Sequence, residues 1–180
     1  MAKAAAGAIA EADVVEWARR FVRYPSPQTE RFEAEPQVQG FIGECVAPLV
    51  VELGLPARRD GMGNLLIEFG PETRQRSLLL MAYAMTHPAS SMREPFAGEL
   101  IATPDGQAVR GRGVAEQKGA LAAALAATVA ARALPLQGRL ILAVSTAGET
   151  GRHDAAAAIL EAIGETPSVT CELCDLRSER

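Results

Sequence analysis

Cysteine is scarce in this chain: Cys45, Cys171 and Cys174 are the only three in 180 residues. Three thiols make no disulfide framework in a domain of this size, so a reducing cytoplasm is the default compartment. Positive charge is not in excess either. Lys and Arg number 18 against 22 Asp and Glu, for a net charge of −4, which leaves no electrostatic footprint for nucleic acid or an anionic membrane. No apolar run approaches the roughly 18 residues that span a bilayer. The Ala-rich N-terminus has a single Lys before Glu11 and Asp13, too weak a pattern for a secretory signal. What is present is one domain's length and 48% apolar residues, enough to fill a core. Residues 1–12 read as a disordered leader, 13–166 as the folded domain and 167–180 as a polar tail.

Periodicity then divides the chain into alternating helices and strands. Asp13 is placed to cap a helix through Tyr24, with Val14, Val15, Ala18, Phe21 and Val22 at helical spacing, until Pro25 and Pro27 stop it. A second stripe, Val38, Phe41, Ile42, Cys45, Val46, Leu49, Val50 and Leu53, predicts a buried helix ending at Gly54 and kinked by Pro48. Cys45 belongs to that stripe and reads as core. From Leu55 the period shortens. Pro56 to Asp60 and Asn64 to Phe69 read as strands joined by Gly61-Met62-Gly63. Ser77–Tyr83 and Arg139–Ser145 are short apolar runs, the pattern of strands covered on both faces. Leu100 to Arg110 suggests a hairpin, Gly119–Leu134 an Ala-rich helix, and Asp154–Ile163 a helix closed by Gly164. The fold class expected is α/β, a three-layer sheet with helices on both faces.

The motifs carry a resemblance. Tyr24-Pro25-Ser26 follows the opening helix, and Arg59-Asp60-Gly61-Met62-Gly63-Asn64-Leu65 turns into a strand. Glu94-Pro95-Phe96 comes next. Gly111-Arg112-Gly113 then precedes Lys118-Gly119 and the Ala-rich helix. In order and spacing these resemble the zinc-dependent M20 peptidase family, which includes acetylornithine deacetylases, succinyl-diaminopimelate desuccinylases and aminoacylases. The resemblance runs from about Val14 to Ile163. It implies the N-terminal part of that family's catalytic domain, without the lid domain, the later carboxylate and the late histidine that family members also carry.

The same resemblance implies that the working residues are replaced. Where the family has a zinc-binding His and an orienting Asp, this chain has Tyr83 and Met85. A phenol with an ordinary pKa of about 10 is a poor neutral-pH zinc ligand, and a thioether cannot act as an anionic orienting group. The metal-bridging Asp becomes Glu116, whose arm is on the order of 1 Å longer against a tolerance of roughly 0.2 Å. Of the family's paired glutamates, the general base is Gly148, and only the ligand Glu149 remains. General base catalysis contributes about 10²–10⁴ in rate, and glycine cannot supply it. Glu116 and Glu149 are thus a vestigial metal pair where a catalytic zinc takes three protein ligands.

Other residues offer alternatives. His87 and His153 could join Glu116 and Glu149 in a rebuilt site, although His87 reads as a loop residue and His153 as a helix cap. Cys171-x-x-Cys174 has zinc-knuckle spacing without a second pair. Lys118 reads as a residue that positions the backbone, and Gly111-x-Gly113 lacks the Lys-Ser/Thr ending of a phosphate loop. A sheet ending with the Arg139 strand would leave an edge to be covered by a second copy or a complementary subunit. Two functions therefore stay open: a non-catalytic subunit with no cofactor, or an amide hydrolase using zinc or another divalent cation once a partner chain completes its site.

Overall fold

The structure is a computed structural model that describes residues 9–71, 76–104, 106–148, 151–164 and 167–172. Helix α1 spans Glu11–Val22 and buries Ala18, Phe21 and Val22. Its cap stands three residues before the expected Asp13. Ala10 holds the cap position, and Asp13 sits in the first turn, where its carboxylate accepts the Ala10 N–H at 3.2 Å. An acid there satisfies an orphan donor and meets the positive end of the helix.

The second helical stretch runs as α2 (Pro36–Gly40), a π segment (Phe41–Val46) and α3 (Ala47–Glu52). The predicted disturbance at Pro48 takes this form rather than a simple kink. Proline offers no N–H and crowds the carbonyl four residues back, and the ladder just before it widens: the Ala47 N–H donates to the Ile42 carbonyl, five residues back. The apolar stripe stays inward through the change, with Phe41, Ile42 and Val46 wholly buried.

Strands β1 (Ala57–Arg59), β2 (Leu65–Phe69) and β3 (Ser77–Tyr83) follow, then the hairpin β4 (Glu99–Thr103) and β5 (Gly106–Arg110). A π segment at Val114–Lys118 leads into α4 (Gly119–Ala131). Strand β6 (Arg139–Ser145), helix α5 (Asp154–Ile163) and strand β7 (Val169–Glu172) complete the order. The main sheet runs β1-β2-β6-β3-β7, with β3 parallel to β6 and β7 and the β1-β2-β6 side antiparallel. The hairpin is a separate sheet.

Alternation along the central strands splits two cores. Ile67, Leu142 and Val144 face α1, the α2–α3 stretch and α4. Leu66, Leu79, Ile141 and Ala143 face Ile159 and Ile163 of α5. Both faces are covered, which is why β3 and β6 read as unbroken apolar runs. The layers are those expected from the sequence.

Strand β7 corrects the expectation that the sheet stops at the Arg139 strand. It pairs in parallel with β3, Leu78 opposite Val169 and Met81 opposite Glu172, inside the segment read as polar tail. Four residues of strand propensity, Val169 to Glu172, are too few to show periodicity against their polar flanks. Most of the proposed leader and residues 173–180 of the tail, with Cys174, lie outside the described residues.

Candidate functional site

Parallel strands β3 and β6 end together, Tyr83 opposite Ser145. The loops leaving their carboxyl ends meet there, the usual place for a site in an open α/β sheet.

Tyr83 is buried at the end of β3, and its backbone N–H donates to Oε1 of the buried Gln117 at 3.2 Å. Its ring lies against the backbone of Gly148. A Cβ built on Gly148 would fall 2.5 Å from Cγ of Tyr83 and 2.6 and 2.7 Å from the two Cδ atoms. Those are root atoms of a buried ring, so the ring cannot swing aside as a flexible chain end could. The position matched to the metal ligand and the position matched to the base are therefore in contact, and each residue is compatible only with its partner's size.

Met85 is 2% exposed and packs in the larger core with Ala82 and Ala84. Its thioether behaves as an apolar filler. Glu116 lies in the π segment before α4, partly exposed, and its carboxylate accepts the His87 backbone N–H at 3.0 and 3.4 Å to its two oxygens. His87 is an exposed loop residue that meets Glu116 through its backbone. His153 precedes α5 in a left-handed conformation, φ 65°, and makes no side-chain cap. Glu149 lies outside the described residues. Among the described residues, no three His, Cys, Asp or Glu side chains are grouped to hold a metal. The described donors at the matched positions, one carboxylate at 116, the buried Tyr83 phenol and the Met85 thioether within the core, do not make the three-ligand set of a zinc ion.

The other motif residues build the frame around this point. Lys118 is 1% exposed, and its Nζ donates to the Phe21 carbonyl at 2.9 Å and to the Tyr24 carbonyl. These are orphan acceptors at the C-terminal end of α1, where a cation is favoured. The ammonium also sits 4.5 Å above the Phe41 ring. Burial lowers the Lys118 pKa to about 7, opposed by Cys45 and Glu116. The expected backbone-positioning role is what its contacts perform. Ser26 donates to the Ala84 carbonyl at 2.7 Å, and Thr86 N–H donates to the Ser26 carbonyl at 2.8 Å, so Tyr24-Pro25-Ser26 is laid against the end of β3. Gly113 is required as glycine: its φ is +83°, and a Cβ would meet Thr86 at 2.3 Å.

Two buried polar residues escaped the sequence reading. Gln117 holds the Tyr83 amide. Asn64 is fully buried and uses both ends of its amide. Its Oδ1 accepts from the Thr146 N–H at 2.8 Å, and its Nδ2 donates to Asp60 Oδ2 at 2.7 Å and the Ala155 carbonyl at 3.2 Å. It thereby ties the β2 entry to the loop carrying Gly148 and to the first turn of α5. The signal available was an Asn between Gly63 and Leu65, which reads equally well as a turn residue.

No family model matches the chain, and no curated protein matches it in sequence. Solved structures do match in fold. An M20 family metallo-carboxypeptidase from Sulfolobus solfataricus aligns with a TM-score of 0.69 at 17% identity, over 91% of this chain and 37% of its own. Human carnosine dipeptidase 1 gives 0.65 at 16%, over 92% and 39%. A Staphylococcus aureus tripeptidase gives 0.64 at 16%, over 95% and 45%. The chain thus spans less than half the length of each of these proteins. Its fold is the mixed α/β fold of M20 family metallopeptidases.

Proposed function

We propose that this chain is a non-catalytic M20-peptidase-like domain that serves as a structural or regulatory subunit of an oligomer or complex in the cytoplasm. The observation that carries this reading is the Tyr83 ring seated on Gly148. It supports loss of two functions at once, because a base at 148 and a ring at 83 exclude each other sterically. Glu116 as the one described carboxylate at the matched positions supports the same reading, since a catalytic zinc takes three protein ligands. For partnership, Val169 on the outermost described strand is 57% exposed, and a copy of this chain or a complementary subunit would cover it. Among the described residues no helix is long and apolar enough to cross a membrane.

The competing reading, a zinc hydrolase completed by a partner chain, draws on Glu116 lying at the carboxyl end of the sheet. It requires the buried Tyr83 ring to leave its place before any base supplied from outside could approach. Elemental analysis of the purified protein, an amidase assay on N-acyl amino acids and dipeptides, and native mass spectrometry test the proposal together. The expected result is an assembly without stoichiometric zinc and without turnover. Stoichiometric zinc accompanied by hydrolysis would overturn it.

A further inference from the structure

We draw no further inference here: the strongest candidate, the outer edge of strand β7 with the apolar hollow that Leu78, Leu136, Leu140 and Val169 line beside it, carries nothing because nothing among the described residues shows what covers it.

Discussion

Adding one methyl group at position 148 should cost stability in proportion to the ring it strikes. Gly148 has no positive φ, so alanine meets no backbone penalty there. On backbone entropy alone the change would stabilise by about 0.4–1 kcal/mol. The opposing effect is steric, because the new Cβ would stand 2.5–2.7 Å from three ring atoms of Tyr83, which is itself 7% exposed and held by packing. Overpacking of this kind costs typically 1–3 kcal/mol, so Gly148→Ala should destabilise by about 1–2 kcal/mol net. In a Tyr83→Ala background the obstacle is gone, and the same change should be neutral or stabilising. The coupling energy of the cycle is then about 2 kcal/mol, within the range for contacting residues. Equilibrium denaturation of the four proteins measures it. Additive effects, with Gly148→Ala equally costly in both backgrounds, would refute the claim that the ring excludes a side chain at 148.

Lys118→Met should remove the cation that holds the Phe21 and Tyr24 carbonyls and should shift the denaturation midpoint downward by an amount worth about 1–3 kcal/mol near neutral pH. Because burial lowers the Lys118 pKa to about 7 from 10.5, the unfolded chain binds more protons between those values. Wild-type stability should therefore rise with pH across that window relative to Lys118→Met, at no more than roughly 1.4 kcal/mol per unit; a flat difference would show that burial does not lower the Lys118 pKa. Asn64→Ala should strand the Thr146 amide and the Asp60 carboxylate, costing about 3 kcal/mol and speeding hydrogen exchange at Thr146; unchanged protection there would show that Asn64 does not hold the loop. The triple change Tyr83→His, Met85→Asp, Gly148→Glu should restore zinc affinity with little hydrolysis. Since it places a carboxylate at a core position, its melting temperature should be low without zinc and rise on addition, while the unaltered protein does not respond. An equal response of both proteins, or high activity of the triple variant, contradicts it.

The layered fold was legible because the two covered strands and the amphipathic stripes leave strong periodic signals. Ser77–Tyr83 and Arg139–Ser145 coincide with β3 and β6. Boundaries moved where local chemistry competes with period. Helix α4 ends at Ala131, and the residues to Leu134 continue as a tighter turn, Leu134 N–H donating to the Ala131 carbonyl ahead of Pro135. Pro48 signalled a defect but not its kind. A π segment and a kink answer the same missing N–H, and a proline within an apolar stripe does not distinguish them.

At the candidate site each replacement was readable singly, by its place in a motif, and their dependence on one another was not. Tyr83 and Gly148 lie far apart in sequence, and the contact between them follows from register. With β3 and β6 parallel and Tyr83 opposite Ser145, the third residue beyond Ser145 is carried back over the ring. A tyrosine at the end of β3 therefore demands the smallest residue in the following loop, and any side chain there demands a residue at 83 without ring atoms at the Cγ and Cδ positions. That reciprocity makes the pair a single structural unit. A lone change at 148 should disrupt packing without creating a base, whereas the same change made together with Tyr83→Ala, which removes the ring atoms it would strike, has room to fold.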